Sequence, residues 1–155
     1  MATEPRIEAK PSRAPTIRPA REDDMLKLAK WLRAECDGRR GFWSNWKIIY
    51  ESFMDGRLVV LTRDDHEPIG FLANGKYEPL IMEVQPKHRG KGFGRMLAEQ
   101  MIDYWTRRRR QRLEFEAIFA SIPFWQHMGF ELITDSATGL TGKRMRRRNG
   151  RAATP

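Results

Sequence analysis

Apolar residues recur along the chain at two different spacings, which separate helix-like from strand-like segments. Met25, Leu28 and Leu32 recur at helical spacing after a run of acidic residues. This pattern predicts an amphipathic helix over residues 22–36. The continuous apolar run at 58–62 is typical of a buried strand. The other predicted elements are strands at 16–18, 69–73, 79–84, 113–119, 130–133 and about 143–147, and helices at 43–54, 92–107 and 123–128.

The order of these elements predicts the fold class. It runs strand, two helices, three strands, helix, strand, helix, and then a closing strand or strands, which favours a mixed α/β plan. We expect a mostly antiparallel sheet flanked by helices, with a single crossover helix. A chain of 155 residues suits one domain. Residues 16–147 are predicted to form that domain, between a disordered leader at 1–15 and a basic, disordered tail at 148–155.

Composition predicts a cytoplasmic location. No apolar run approaches the roughly 18 residues of a membrane span, and the polar, proline-containing leader lacks the apolar core of a signal peptide. The one cysteine, Cys36, permits no internal disulfide, which fits a reducing compartment. Its position on the predicted amphipathic helix assigns it to the buried stripe.

The net charge of +9 is concentrated in two places. Eleven positive charges lie in two clusters, which leaves the remainder of the chain with a net charge of −2. The clusters are Arg107, Arg108, Arg109, Arg110 and Arg112, and Lys143, Arg144, Arg146, Arg147, Arg148 and Arg151. Two interpretations are open: solvated ends of secondary structure, or a docking surface for nucleic acid or an acidic partner.

The segment 84–95 carries the chemistry that the sequence shows best. It reads Val-Gln-Pro-Lys-His-Arg-Gly-Lys-Gly-Phe-Gly-Arg and lies between a predicted strand and a predicted helix. Unpaired amides at a helix N-terminus, together with the helix dipole, favour a bound phosphate. The spacing matches neither a P-loop nor a dinucleotide fingerprint. The three glycines are Gly90, Gly92 and Gly94, and the three basic residues are Arg89, Lys91 and Arg95.

This segment resembles the acyl-CoA pyrophosphate loop of the GNAT family of N-acetyltransferases. The matching pattern is Arg89-x-x-Gly92-x-Gly94, preceded by Val84-x-Pro86. The order of predicted elements is also that of the family, so the resemblance extends over residues 16–147 and implies a GNAT fold. Two further segments resemble family landmarks: Ile17-Arg18-Pro19-Ala20-x-x-Asp23 and Phe124-Trp125-x-x-x-Gly129-Phe130.

The resemblance implies acetyl-CoA as co-substrate, without a metal ion. Amides from Arg89 to Arg95 would bind the pyrophosphate, and main-chain groups of Met82 and Val84 would pair with the pantetheine arm. The implied cofactor-binding residues are Met82, Val84, Arg89, Gly90, Lys91, Gly92, Phe93, Gly94 and Arg95.

Direct transfer to an amine, which the resemblance implies, needs a general base. Glu78 is the first candidate, because it lies eleven residues before Arg89, where histone-type members carry a base glutamate. Glu83 is the second candidate and faces the opposite way in regular strand alternation. Trp125 stands where many members have a tyrosine that protonates the leaving thiolate, and an indole N–H is not a usable proton donor. Ser121 or a water would then serve, or transfer is slow or lost.

The acceptor is left open by the sequence. Trp43 and Trp46 fall where the family binds its acceptor, and they form either part of the core or an aromatic wall for that acceptor. A protein amine is the first expectation, and a small molecule is the next. The arginine clusters suggest a third possible acceptor, an RNA-linked amine such as aminoacyl-tRNA. The alternative to an enzyme is a non-catalytic module that binds acyl-CoA, nucleic acid or a protein. We expect a monomer or a homodimer.

Overall fold

A computed structural model describes residues 14–35, 43–64, 67–108, 112–134 and 141–148. Cys36, residues 1–13 of the predicted leader and residues 149–155 of the predicted tail lie outside these ranges. The division into leader, domain and tail therefore stays a prediction.

The described residues form seven strands and four α-helices in the predicted order. They are β1 Thr16–Pro19, α1 Glu22–Glu35, α2 Trp46–Met54, β2 Leu58–Arg63, β3 Glu67–Asn74, β4 Pro79–Val84, α3 Phe93–Arg107, β5 Arg112–Glu116, α4 Ile122–His127, β6 Glu131–Thr134 and β7 Thr141–Arg148.

The strands form two sheets, ordered β1-β2-β3-β4 and β5-β7-β6. Every pair of neighbouring strands in these sheets is antiparallel. The mixed α/β class with a mostly antiparallel arrangement is thus confirmed. The strands are divided between two sheets after β4, because β4 and β5 lie next to each other but do not pair in the described part of the chain.

Three boundaries differ from the sequence-based expectation. The helix predicted from residue 43 begins with a 3₁₀ turn, Trp43–Asn45, and becomes α-helical at Trp46. The strand predicted over 113–119 ends at Glu116, where its pairing with β7 stops, and a 3₁₀ turn at Phe119–Ser121 leads into α4. The closing strand is longer than predicted and extends over Thr141–Arg148.

Two apolar cores lie on opposite faces of the first sheet. Alternate residues of β3 enter each core: Phe71 packs with α1 and α2, whereas Leu72 packs with α3 and the second sheet. The predicted amphipathic faces explain this division, since Leu28 and Leu32 of α1 fill one core and Leu97 of α3 fills the other.

An ion pair joins β1 to the first turn of α1. Asp24 is 2% exposed, and its carboxylate accepts hydrogen bonds from both terminal nitrogens of Arg18, at 2.6 and 3.0 Å. The backbone N–H of Arg21 donates to the same carboxylate at 2.7 Å. Burial raises the pKa of Asp24, but the hydrogen bonds from Arg18 and Arg21 outweigh it and leave the pKa below its ordinary value. The pair therefore fixes where the first helix starts relative to the sheet.

Replacing Asp24 by Asn should lower the free energy of unfolding by about 3 kcal/mol, because the guanidinium of Arg18 would lose its buried counter-charge. Urea unfolding at pH 7, followed by tryptophan fluorescence, measures this change. Asp23→Asn is the matched control, since Asp23 occupies the same helical turn but is exposed. It should change stability by no more than about 0.5 kcal/mol. Equal effects of the two substitutions would contradict a structural role for the ion pair.

Candidate active site

The glycine-rich segment forms a turn that only glycine adopts easily. Residues 85–92, here called the glycine loop, begin with the 3₁₀ turn Pro86–His88 and end at the N-cap of α3. Gly90 and Gly92 have φ values of 77° and 87°, in the left-handed region. The loop thus needs glycine at both positions to place the start of α3.

The start of α3 presents backbone amides without partners inside the helix. The first helical bond runs from Met96 N–H to the carbonyl of Gly92 at 3.2 Å, so the amides of Phe93, Gly94 and Arg95 precede it. No side chain of the described residues caps this end. A Cβ added at Gly90 or Gly92 would meet no atom within 4 Å, so the outer side of the loop is open. This arrangement fits a diphosphate group.

Arg89 is turned away from this open side. Its backbone N–H donates to the carbonyl of Pro86 at 3.2 Å. Its Nε donates to the carbonyl of Val84 at 2.9 Å, and its Nη2 lies 3.2 Å from the Glu83 carboxylate and 3.5 Å from the Glu35 carboxylate. The amides that remain for an anion therefore begin after Arg89, whose charge is paired with two carboxylates although 55% of the side chain is exposed.

The other two cations of the loop motif are exposed. Lys91 lies on the loop itself, and Arg95 forms a 3.1 Å ion pair with Glu99 one turn along α3. Exposed pairs of this kind are weak and exchange with solvent. Both side chains can therefore turn toward a bound anion.

The outer edge of β4 pairs with no strand among the described residues, although the Val84 carbonyl accepts a hydrogen bond from Arg89 Nε. Gln85 N–H donates to the carbonyl of Ile69 at 2.8 Å, so the backbone groups of Gln85 face β3. Successive residues of an antiparallel strand direct their N–H and C=O groups to opposite edges of the strand. The N–H and C=O groups of Met82 and Val84 therefore face β5. These are the two residues that were predicted to pair with the pantetheine arm.

A cavity of about 110 Å³ lies between β4 and β5. Its walls include Met82 of β4, Ile118 after β5, and Ser121 and Phe124 around the start of α4. The Ser121 hydroxyl already donates to the carbonyl of Ile118 at 2.8 Å. The cavity is therefore mainly apolar, which suits an alkyl arm and a short acyl group.

Trp125 lines this cavity and belongs to the core. It is 6% exposed, and its ring centroid lies 4.6 Å from that of Phe115 and 5.4 Å from that of Phe130. The indole thus occupies the tyrosine position of the family as a packing residue. It supplies no acidic proton.

The two predicted bases have different surroundings. Glu78 precedes β4, and its side chain is 41% exposed and forms a 2.9 Å ion pair with Arg144 of β7. Glu83 is 7% exposed and faces the α1 side of β4, opposite Phe71 of β3. Neither side chain lines the cavity between β4 and β5.

The pKa of Glu83 is raised to about 8, chiefly by burial and also by a hydrogen bond and the negative charge of Glu35, against the effect of Arg89. Glu35 was not singled out by the sequence analysis. It lies on the last turn of α1, four residues after the buried Trp31 and on the same face of the helix. The sequence signal that could have identified Glu35 is an acidic residue at the next position of the apolar stripe of α1.

Trp43 and Trp46 pack together next to α1. Their ring centroids are 5.4 Å apart, and the guanidinium of Arg33 lies 4.6 Å above the Trp43 ring. Both rings are half-buried against the core shared by α1 and α2. They are therefore core residues that retain an accessible side, and their contact with an acceptor stays a prediction.

Several arginines of the two clusters have partners within the protein. Arg144 contacts Glu114 at 3.4 Å as well as Glu78, and Arg146 contacts Glu131 at 3.3 Å. In the first cluster, Arg107 pairs with Asp103 and Arg108 stacks on Tyr104. Arg109, Arg110 and Arg151 lie outside the described residues. Binding of nucleic acid by these clusters stays a prediction.

Membrane-spanning helices and metal-binding groups are two further features that bear on function in the described part of the chain. None of its helices is long and apolar enough to cross a membrane. Its His, Cys, Asp and Glu side chains form no group of three that is arranged to hold a metal ion.

The chain matches the sequence model of a known protein family, and its fold is shared by solved structures. The family model describes an acetyltransferase (GNAT) domain and matches residues 55–132. A GNAT-family acetyltransferase from Staphylococcus aureus is 14% identical, with 87% of this chain and 99% of that chain covered at a TM-score of 0.66. The PaiA N-acetyltransferase from Thermoplasma acidophilum, in complex with coenzyme A, is 13% identical, with 88% and 99% covered at a TM-score of 0.66. The NatC complex bound to Gag peptide and CoA is 14% identical, with 89% and 100% covered at a TM-score of 0.61. No curated protein sequence matches.

The fold, the open amides of the glycine loop and the family match together define an acyl-CoA-dependent N-acetyltransferase. The matched region covers half of the chain and includes β4, the glycine loop and α3. The chain therefore belongs to the GNAT family.

Replacing Gly92 by Ala should weaken acetyl-CoA binding about tenfold, because a shift of the loop would misplace one amide that bonds to a charged group. The left-handed conformation should also cost roughly 1 kcal/mol of stability. Isothermal titration calorimetry and urea unfolding measure the two effects.

Gly56→Ala is the matched control for this substitution. Gly56 has a φ of 70° and equally open surroundings, but it lies between α2 and β2, away from the loop. It should lose similar stability and keep full acetyl-CoA affinity. Weaker acetyl-CoA binding in both variants would mean that general destabilisation, not loop geometry, is responsible.

Proposed function

We propose that this protein transfers the acetyl group of acetyl-CoA to an amine of a protein or peptide. The observation that carries the proposal is the alignment of three features along β4: its free edge, the apolar cavity beside it and the open amides that follow it. A peptide acceptor is supported by the NatC complex, which shares the fold and holds a peptide together with CoA. A cytoplasmic location would give access to acetyl-CoA.

The residues that would hold acetyl-CoA follow from this geometry. Amides from Gly90 to Arg95 would bind the pyrophosphate, with Lys91 adding charge, and the backbone of Met82 and Val84 would bond to the pantetheine arm. One amide of that edge would donate to the thioester carbonyl and stabilise the developing oxyanion. Acetyl-CoA supplies an activated acyl group, so the acceptor amine can attack it directly.

We further propose that Glu83 takes the proton of the attacking amine. Glu78 is held by Arg144 at an exposed position, whereas Glu83 is buried and has a pKa near the range in which a base works at neutral pH. Ile81, two residues before Glu83 on the same face of β4, lines the cavity. Glu83 is therefore about 7 Å along the strand from the cavity wall, so the proton would pass along a short chain of hydrogen-bonded waters rather than through a single one.

The proton for the leaving thiolate would come from Ser121 or from solvent, since Trp125 cannot provide it. Ser121 lies in the cavity wall, and its hydroxyl would have to leave the carbonyl of Ile118 to donate to the thiolate. Transfer without a tyrosine acid is expected to be slower than in members that have one.

Glu83→Gln should lower kcat by about 100-fold or more, because the amide cannot accept the proton. Glu78→Gln is the comparison, and it should keep kcat within about threefold if Glu78 serves only its ion pair with Arg144. Release of free CoA thiol with a peptide acceptor measures both. Calorimetry with acetyl-CoA should show unchanged binding in either variant. A large loss in Glu78→Gln with normal Glu83→Gln would assign the base to Glu78 instead.

The class of acceptor is tested by transfer of labelled acetyl from acetyl-CoA into a cell extract, followed by separate protease and nuclease digestion. We expect the label to be released by protease. Release by nuclease would identify an RNA-linked amine and make the arginine clusters part of the site. Absence of label, despite measurable acetyl-CoA binding, would contradict a macromolecular acceptor and favour a small molecule or a non-catalytic acyl-CoA-binding module.

A further inference from the structure

The last turn of α1 and the end of β4 bring two carboxyl groups into contact. The side chains of Glu35 and Glu83 are 18% and 7% exposed, and both carboxyl groups reach the same nitrogen of one guanidinium. The Oε1 atom of each faces Nη2 of Arg89, at 3.5 and 3.2 Å. The Oε2 atom of each is buried, and no described residue donates a hydrogen bond to it.

This arrangement requires a proton between the two groups. An ionised carboxylate only accepts hydrogen bonds, so two ionised groups in this contact would leave two buried oxygens unpaired and two like charges together. A single proton on Glu83, donated to the carboxylate of Glu35, removes both costs. It supplies the donor that each Oε2 atom lacks.

The described residues place few charged groups around the pair. Arg89, from the glycine loop, is the cation that acts on Glu83, and Glu35, from α1, is the anion. From β3, the residue opposite Glu83 is the uncharged Phe71, on which Trp31 of α1 packs with a centroid distance of 5.6 Å. With one shared proton the pair carries a charge of −1, which the guanidinium balances.

We propose that Glu35 is a positioning residue for Glu83: the two share one proton and form a single unit that Arg89 connects to the glycine loop. This proposal deepens the proposed function, because it rests on Glu83 as the proton acceptor. When the shared proton has left to solvent, Glu83 takes the proton from the nitrogen of the attacking amine, whose electron pair forms the new C–N bond. The C–S electron pair leaves with the thiolate. Glu35 touches neither reactant.

A titration of the glutamate side chains tests the pair without an acceptor. Carbon-13 NMR of ¹³C-labelled glutamate carboxyls should show one group with a pKa of about 8, and this signal should be absent in Glu83→Gln. Glu35→Gln should lower that pKa by about one unit or more, because a neighbouring like charge is removed. Arg89→Gln should raise it, because a favourable positive charge is removed.

Two further variants make this titration decisive. Glu35→Asp keeps the charge and should leave the pKa of Glu83 closer to its wild-type value than Glu35→Gln does. Glu22→Gln, an exposed position on the same helix, should leave it unchanged. The proposal is overturned if no glutamate titrates above the ordinary range, or if Glu35→Gln leaves the high pKa in place.

Activity provides the second readout. With an acceptor from the labelling experiment, the wild-type rate should rise with pH up to about 8 and then level, since Glu83 must be ionised to act. Glu35→Gln should move this rise to lower pH by the same interval as in the NMR titration, with unchanged acetyl-CoA affinity. A shifted NMR pKa without any acetyl transfer would instead count against the proposed function and leave the carboxyl pair established.

Discussion

The separation of β4 from β5 is the constraint on which the rest of the site depends. Two adjacent strands would ordinarily pair, because unpaired backbone groups away from water are costly. Here the second sheet shares one core with α3 and the first sheet, and within it Trp125, Phe115 and Phe130 pack edge to face. The gap between β4 and β5 leaves an apolar cavity and a strand edge that a ligand with amide groups can satisfy. The site thus lies where two sheets that share a core do not pair.

Arg89 shows that a basic motif is not the same as a basic surface. Its side chain spans from the carbonyl of Val84 to two carboxyl groups, so its role in the loop is to hold the backbone in place. Arg144 and Arg146 of the C-terminal cluster are likewise joined to carboxylates of neighbouring elements. Much of the positive charge of the described residues is therefore compensated within the protein. What remains for an anion is a set of backbone amides, whose direction the glycines fix, together with the exposed Lys91 and Arg95.

Proton chemistry in this site arises from burial more than from residue type. The tyrosine of many family members is replaced by Trp125, which gives packing and no acid. Glu83 gains its raised pKa from an apolar setting and from contact with Glu35, on a helix that the motif does not include. Such a pair also joins α1, β4 and the glycine loop at one point. Cofactor binding and the proposed proton transfer would therefore share a structural element.

The sequence alone determined the order of the elements and the fold class, and it predicted a phosphate-binding segment, because these depend on local spacing: apolar periodicity, glycines before a helix, and a short motif. Only the tertiary structure decided that the sheet divides after β4, that Arg89 pairs with two carboxylates and that the two candidate bases differ in burial. It also revealed Glu35, which lies 48 residues before Glu83 in the chain. A pKa depends on burial and on charges within a few ångströms, and residues far apart in sequence supply both, so no local pattern in the chain encodes it.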